Sequence, residues 1–179
     1  MDEKKGLKTV ELRLISELLK DSRRSDRQLA KSIGVSQPTV TRTVRKLREA
    51  GYIKEFTIIP DFKKLGFQIL AFSTFKLTEQ VPSEQLKEER ILIRKDFMKK
   101  PLAHIIGMSG TGLNADRMIV SFHESYSSYS GFLQRIRNDP LIKMNSLSSF
   151  VVDLTDDNHY DSLTLLPIAD YILKMKKNE

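Results

Sequence analysis

Apolar residues recur every three or four positions through the first fifty residues of the chain, which is the spacing of amphipathic helices. Three helices are predicted, over residues 8–20, 26–33 and 37–50. The apolar stripe of the first helix contains Leu14, Ile15, Leu18 and Leu19. The segment over 52–59, YIKEFTII, is short and rich in β-forming residues, so we expect a small hairpin, or wing, beside the three helices.

Short polar motifs mark where the second and third helices begin and end. Ser25 and Gln28 form a capping box, in which each side chain satisfies a backbone donor of the first turn. Gly34 is suited to a left-handed helix stop, and Ser36 is suited to cap the next helix. Pro38 is tolerated there because the first turn of a helix needs no backbone donor. The pattern therefore predicts two helices joined by a tight turn.

The third helix has two chemically different faces. Val40, Val44 and Leu47 lie on one stripe and are expected to anchor the helix. Hydroxyl, amide and cationic groups lie away from that stripe, on Gln37, Thr39, Thr41, Arg42, Arg45 and Lys46. Arginine pairs with guanine, glutamine with adenine, and threonine with bases or a thymine methyl group, so these residues are suited to the major groove of DNA. The alternative is an ordinary helical hairpin with a solvated basic face.

Beyond residue 66 the pattern changes to strands that alternate with helices. Strands are predicted over 67–77, 104–109, 116–123 and 147–154, and helices over 83–99 and around Tyr129, Phe132, Leu133 and Ile136. The order strand, helix, strand, strand, helix, strand is that of a ferredoxin-like βαββαβ domain, a four-stranded antiparallel sheet with two helices on one side. The predicted fold class is therefore α+β.

The predicted strands carry apolar residues on both faces, although two helices can cover only one face. In the third strand Val120 and Phe122 point away from Ile119, and in the last strand Phe150 points away from Val151. The simplest cover for the second face is the same face of another copy. We therefore expect a homodimer with its sheets packed face to face.

The end of the chain is predicted to form an extra helix. A polar run over 155–162 is typical of a linker, and a short helix is predicted to begin near Pro167. Ile168, Tyr171, Ile172 and Met175 fall on one face of that helix. We expect the helix to dock on its own domain; the alternative is a contact with a partner.

The net charge of +7 is unevenly distributed. Residues 1–60 contain 14 Lys/Arg and 8 Asp/Glu, whereas residues 61–179 contain 16 and 15. The basic excess coincides with the helical pair, as expected for a part that binds a polyanion. No apolar run approaches the ~18 residues of a membrane span, and the first residues lack the apolar core of a signal peptide, so a cytoplasmic protein is expected.

The residues that could carry chemistry do not form an enzyme pattern. The chain has no cysteine, and its three histidines, His104, His123 and His159, show no metal-ligand spacing. Asp153, Asp156 and Asp157 are irregularly spaced, which is more typical of a linker than of a metal cage. There is no nucleotide-binding glycine loop, nucleophile elbow or zinc-protease motif. We therefore expect a protein that is not an enzyme and needs no cofactor or metal.

The segment over 25–53, SDRQLAKSIGVSQPTVTRTVRKLREAGYI, resembles the DNA-binding part of the Lrp/AsnC (leucine-responsive, feast/famine) transcription regulators. The resemblance is specific from Leu7 to Phe67 and continues in the order of elements to about residue 155. It implies a winged helix-turn-helix DNA-binding domain over 1–60, a ferredoxin-like effector-binding and dimerisation domain over 61–155, and a linker with an extra helix over 156–179.

The resemblance also implies roles for individual residues. The recognition helix would lie over 36–50, and Arg24, Ser25 and Arg27 would lie near phosphates. A dimer or higher oligomer would bind a pseudo-palindromic site on double-stranded DNA. An amino acid or similar effector would bind near the turn between the second and third strands, where Gly110, Gly112 and Asp116 match best. The alternative is that the glycines are there for their backbone conformation.

Two other function classes remain open on the sequence. The sirohaem decarboxylases share this two-part organisation, and such an enzyme would need acid–base or basic residues such as His104, His123 or Arg117. That interpretation leaves the basic helix face without a role. The other class is an interaction protein with a vestigial DNA-binding head, which an assay with short random duplexes would separate.

Overall fold

The computed structural model describes residues 6–78, 104–139, 144–156 and 163–175. The chain forms two compact units, one made of Met1–Ile59 and Leu163–Glu179 and the other of Pro60–Ser162. The predicted helix over 83–99 lies outside the described residues, and so do Asp157 and His159. Within the described ranges, every helix is too short or too polar to cross a bilayer.

The first unit, called the head below, begins with the three predicted helices: α1 (Thr9–Lys20), α2 (Asp26–Ile33) and α3 (Gln37–Glu49). The predicted capping box is present, because the Ser25 N–H donates to Gln28 Oε1 at 2.8 Å and the Gln28 N–H donates to Ser25 Oγ at 3.3 Å. Gly34 ends α2 in the left-handed region with φ of 74°. These local interactions confirm the predicted bounds of α2 and bring α3 in after a turn of three residues.

One apolar core holds the three head helices together. Leu14 of α1, with Val40 and Leu47 of α3, is at most 1% exposed. The core is completed from α2 by Leu29, Ala30 and Ile33. Burial of one such leucine stabilises the fold by about 1.5–3 kcal/mol relative to exposure. The core therefore fixes which face of α3 points outward, as its predicted valine–leucine stripe requires.

The segment after α3 does not form the predicted hairpin. Residues 53–61 contain no strand, and Tyr52, Phe56 and Ile58 are 52%, 45% and 72% exposed. A hairpin needs a second strand to accept its backbone hydrogen bonds, and Pro60 and the turns over 62–66 follow immediately. The β-forming composition of this segment was therefore not sufficient to make a strand.

The second unit contains one sheet and a helix. Its elements are β1 (Ile69–Leu77), β2 (His104–Gly112), β3 (Ala115–His123), α4 (Tyr126–Arg137) and β4 (Met144–Asp153). The strand order is β2-β3-β1-β4, and all three neighbouring pairs are antiparallel. This is the predicted ferredoxin-like order. Ser125 caps α4 by accepting from the Ser128 N–H at 3.2 Å.

The two faces of the sheet are covered to different extents. On one face, Phe132 and Ile136 of α4 pack with Ala71 and Phe75 of β1. On the opposite face, the ring of Phe62 stacks on Phe122, with 3.8 Å between the ring centroids. The chain thus covers part of its own second face. Other strand residues on that face remain exposed to solvent. Ile106 and Met108 of β2, which pair with residues of β3, are 49% and 43% exposed, and Phe150 of β4, which pairs with a residue of β1, is 70% exposed.

The connection between β2 and β3 is a tight turn. Leu113 and Asn114 both have positive φ, of 51° and 53°, as in a two-residue hairpin turn. Gly110 therefore lies within β2, whereas the sequence pattern had placed it in a longer glycine-rich connection. The hydrogen-bonded ladder extends further than predicted because the strands need only two residues to reverse direction.

The last helix, α5 (Leu166–Met175), packs against α1 of the head. Ala169 is fully buried, and Lys20 Nζ lies 3.2 Å from Asp170 Oδ1. Ile168 and Tyr171, which were predicted on the packing face, are 51% and 63% exposed. The prediction is therefore wrong for these two residues, whereas Ile172 of the same predicted face is partly buried. A small residue at the contact lets the two helices approach, which the apolar pattern does not reveal.

Candidate nucleic-acid interface

The outer face of α3 presents polar and basic side chains to solvent. Gln37, Thr41, Arg42 and Arg45 are exposed, and Thr39 is partly buried. Val40 and Leu47, on the opposite face, are buried in the head core. The anchored side and the exposed side of the helix therefore separate as the sequence predicted. A helix held in this way can enter the DNA major groove, which is wide enough to admit it.

Arg42 and Arg45 are the two cations of α3 that make no polar or aromatic contact with the described residues. Neither guanidinium has an ion-pair or hydrogen-bond partner among the described residues. A guanidinium offers five donors in a planar fork and can donate two parallel hydrogen bonds to guanine O6 and N7. Both arginines are therefore available for bidentate contacts with a base or a phosphate.

Threonine hydroxyls at the start of α3 are used within the head. The Thr41 hydroxyl donates to the Asp26 carboxylate at the start of α2, and it also lies 3.2 Å from the Gln37 carbonyl oxygen. Thr39 Oγ1 and Ser36 Oγ are 2.8 Å apart. The bond from Thr41 to Asp26 joins α3 to α2, whereas the other two contacts lie within α3 and its N-cap.

Lys46 forms an ion pair with Glu11 of α1. Its Nζ lies 2.6 Å from Glu11 Oε1, and the side chains of Lys46 and Glu11 are 64% and 8% exposed. The hydrogen bond from Lys46 is the largest influence on the pKa of Glu11 and lowers it, in opposition to burial, which raises it. The carboxylate is therefore ionised at neutral pH, and the pair joins α1 to α3.

Two arginines near the start of α2, Arg24 and Arg27, also differ in whether they have a carboxylate partner. The Arg24 guanidinium pairs with the Glu17 carboxylate of α1. Burial raises the pKa of Glu17, but hydrogen bonds from Arg24 and Ser32 outweigh it, so the pKa is lowered. Arg27 is exposed and has no ion-pair partner in the described part of the chain. The side chain of Ser25 is used as the helix cap.

The net charge of the protein lies entirely in the head. Its two segments, Met1–Ile59 and Leu163–Glu179, carry 17 Lys/Arg and 10 Asp/Glu, whereas Pro60–Ser162 carries 13 of each. The head therefore has a net charge of +7, and the second unit has none. The long-range attraction of a polyanion that comes from net charge would therefore act on the head.

Several residues that shape this interface were not predicted from the sequence. Three carboxylates contact predicted DNA-facing side chains that lie 7 to 35 residues away in sequence. Glu11 pairs with Lys46, Glu17 pairs with Arg24, and Asp26 accepts a hydrogen bond from Thr41. Arg48 lies over the ring of Phe56, 6.0 Å from its centroid. Arg48 continues the spacing of Arg45 along the helix, so periodicity could have found it. Nothing in the sequence indicates the acidic partners.

The three residues predicted at an effector site do not share one role. Gly112 has φ of 138°, which favours glycine, whereas a side chain added at Gly110 would meet nothing within 4 Å. Asp116 Oδ1 accepts from the Leu77 N–H at 3.3 Å, at the end of β1. Gly112 is thus explained by its conformation, and Asp116 ties two strands together.

His123 is a buried member of the second unit and is 5% exposed. Its Nε2 lies 2.8 Å from Ser121 Oγ, and the rings of Tyr129 and Phe132 are its neighbours. Burial lowers the pKa of His123 to about 4, with a smaller effect from the positive charge of Arg135. The imidazole is therefore neutral at physiological pH. Across the described ranges, no group of three or more acidic or histidine side chains is arranged to hold a metal ion.

Comparison with known proteins gives the same picture of the head. A family model described as winged helix-turn-helix DNA-binding matches residues 7–54. The uncharacterised HTH-type transcriptional regulator PH0061 of Pyrococcus horikoshii is 33% identical over 138 residues, which cover 74% of this chain and 86% of that protein. The HTH-type transcriptional regulator LrpC of Bacillus subtilis is 46% identical over 63 residues. The chain belongs to the Lrp/AsnC family of transcription regulators.

Solved structures of transcription regulators extend the similarity to both units. The LrpC structure has a TM-score of 0.64 at 27% identity and covers 82% of this chain and 94% of that one. The transcriptional regulator NMB0573 of Neisseria meningitidis, solved as an L-Met complex, has a TM-score of 0.68 at 16% identity, covers 91% of this chain and 99% of that one, and shows the fold alone. In sequence, the chain spans about half the length of several curated relatives, 44% for LrpC.

Proposed function

We propose that this protein is a transcription regulator that binds double-stranded DNA in the cytoplasm and recognises sequence with α3. The observation that carries the proposal is the exposed face of α3, with two uncommitted arginines on a helix anchored by a buried stripe. The concentration of charge in the head supports it. The DNA-facing set comprises Arg24, Ser25, Arg27, Gln37, Thr39, Thr41, Arg42, Arg45 and Lys46.

The test is duplex binding measured by fluorescence anisotropy. The protein is first used to enrich a duplex from a random pool, and its affinity for that duplex is compared with its affinity for unselected DNA. We expect a preference of at least about 10³-fold, with affinity that falls steeply with salt. Failure to enrich any duplex above a salt-matched competitor would contradict the proposal and favour an interaction protein with a vestigial head.

A two-fold dimer is the second part of the proposal. The open part of the sheet, with Ile106, Met108 and Phe150 exposed, supports a contact with the same face of a second copy. Such a dimer would present two heads to half-sites about one helical turn apart. Sedimentation at micromolar concentration should show a dimer or a higher oligomer for the wild type.

A pair of neighbouring residues on β4 provides a matched control for the dimer. Phe150 lies on the open face, whereas Val151 lies on the opposite face and is 41% exposed. Phe150→Asp should dissociate the dimer because it buries a charge against an apolar face, and Val151→Asp should not. Equal sedimentation of wild type and Phe150→Asp would refute this use of the face.

An amino-acid effector is the third part of the proposal. It is supported by the family and by the L-Met complex of NMB0573. We place it near the β2–β3 turn, at Gly110, Gly112 and Asp116, where the Asp116 carboxylate would pair with the amino group. Calorimetry with each standard amino acid tests this, with Asp116→Asn as the variant. Unchanged affinity in that variant would move the site elsewhere, and no binding of any amino acid would remove it.

The related proteins described above are transcriptional regulators by name. His123, one of the acid–base residues such an enzyme would use, is buried among aromatic rings and neutral. The protein is therefore proposed to act without catalysis.

A further inference from the structure

The ion pair between Glu11 and Lys46 links the first helix to the recognition helix. Lys46 Nζ lies 2.6 Å from Glu11 Oε1, while Glu11 Oε2 accepts from the Lys8 N–H at 2.7 Å. Both carboxylate oxygens are therefore used, one to begin α1 and the other to hold α3. Glu11 is only 6% exposed, so its charge depends on these partners and not on water.

Removing Lys46 from this pair would leave a buried carboxylate without a cation. An uncompensated buried charge is strongly destabilising, whereas an ion pair at an exposed position is weak and screened by salt. A DNA phosphate at the protein surface is thus a poorer partner for Lys46 than Glu11 is. The contrast with Arg45, the preceding residue, is clear: Arg45 is exposed and pairs with nothing in the described ranges.

We propose that Glu11 is a positioning residue for DNA binding, which holds Lys46 against α1 and so fixes the orientation of α3. Lys46 keeps this partner in the DNA complex and does not neutralise a phosphate. The inference rests on the proposed function and refines its DNA-facing set. It also predicts that the head makes fewer phosphate contacts than its count of cations suggests.

The salt dependence of binding distinguishes the two roles of a cation. Full-length protein is titrated with a fluorescein-labelled 30-base-pair duplex of random sequence, at salt concentrations from about 50 to 300 mM. Arg45→Met and Lys46→Met each remove one positive charge from adjacent positions of α3. The slope of log K against log salt is negative, and we expect Arg45→Met to make it shallower by about 0.9. Lys46→Met should leave the slope unchanged.

Glu11→Gln tests the positioning role directly. It frees the charge of Lys46, so the slope should steepen by up to about 0.9. It also loosens α3, so the preference for a duplex enriched with the wild-type protein over the random duplex should fall by about tenfold. A role limited to stability would lower the melting temperature and leave the preference unchanged well below melting. The double variant Glu11→Gln/Lys46→Met has the wild-type net charge and should recover the wild-type slope.

Two results would overturn the inference. One is a salt dependence that becomes shallower in Lys46→Met by as much as in Arg45→Met, which would make Lys46 a phosphate contact. The other is a Glu11→Gln variant with wild-type slope and preference; this measurement still decides the matter if Lys46→Met fails to fold. If the wild type binds no duplex at all, the proposed function itself fails, and this outcome differs from both.

Discussion

Leu47 and Arg45 lie two residues apart on α3, and truncation of each to alanine should affect a different property. Leu47 is 1% exposed in the head core, so Leu47→Ala removes buried methyl groups and leaves a cavity. Such substitutions cost about 2–5 kcal/mol of unfolding free energy. Arg45 is exposed and unpaired in the described structure, so Arg45→Ala should change stability by less than about 0.5 kcal/mol.

The effects on DNA binding should be reversed. If Arg45 contacts a guanine, Arg45→Ala should weaken binding to the enriched duplex by about 1–3 kcal/mol, or roughly 5- to 150-fold. Leu47→Ala should bind with near wild-type affinity once its folded fraction is taken into account, since its side chain faces away from DNA. Arg42→Ala is the second arginine variant, and an unchanged binding curve for both would remove these arginines from base recognition.

Two assays on the same preparations decide the matter. Urea unfolding followed by circular dichroism gives the stability of each variant, and anisotropy with the enriched duplex gives its affinity. The reasoning would be refuted if Arg45→Ala unfolded more easily than the wild type while its affinity stayed the same. It would equally be refuted if fully folded Leu47→Ala lost binding to the extent expected of Arg45→Ala.

Three further outcomes are expected. Because the pKa of His123 is about 4 in the folded state and 6.5 in the unfolded chain, the unfolded state takes up its proton first, so stability should fall by up to about 3 kcal/mol as the pH decreases from about 6.5 to 4. Urea unfolding across that range should show a smaller decline in His123→Gln. Ser25→Ala should cost about 1 kcal/mol through loss of the α2 cap, and an unchanged melting temperature would contradict this. Ala169→Leu should destabilise the head by about 1–3 kcal/mol because the residue is fully buried, while exposed Tyr171→Ala should melt like the wild type.

The elements that the sequence predicted well are those specified by neighbours within four residues. The Ser25–Gln28 box, the stop at Gly34 and the stripe of α3 each act within one or two helical turns, and the bounds of α2 match the prediction. The strands and helices of the second unit were likewise predicted from local patterns, and their order along the chain indicated the ferredoxin-like topology. The rules that govern connections between strands leave few other topologies for that order. Local patterns therefore carried the fold class and the outward face of α3.

The structure differs where a residue's partner lies far along the chain. The segment over 52–59, predicted as a wing, pairs with no strand of the described residues, and the packing face of α5 depends on α1, more than 140 residues earlier. Ile168 and Tyr171 of the predicted apolar stripe face solvent, whereas Ala169, which is small and lies outside the stripe, is fully buried. Hydrophobic periodicity measures which residues avoid water, and it contains no information about which neighbour will cover them.

The candidate interface shows the same division. The amino-acid sequence was sufficient to name the basic and polar side chains of α3, since their spacing from the buried stripe places them outward in any helix. Only the folded head shows that Lys46 and Arg24 already have carboxylate partners on α1, whereas Arg42 and Arg45 have none in the described structure. Those pairs arise when helices distant in sequence pack together, and Coulomb attraction over a few ångströms then commits some cations and leaves others available for DNA.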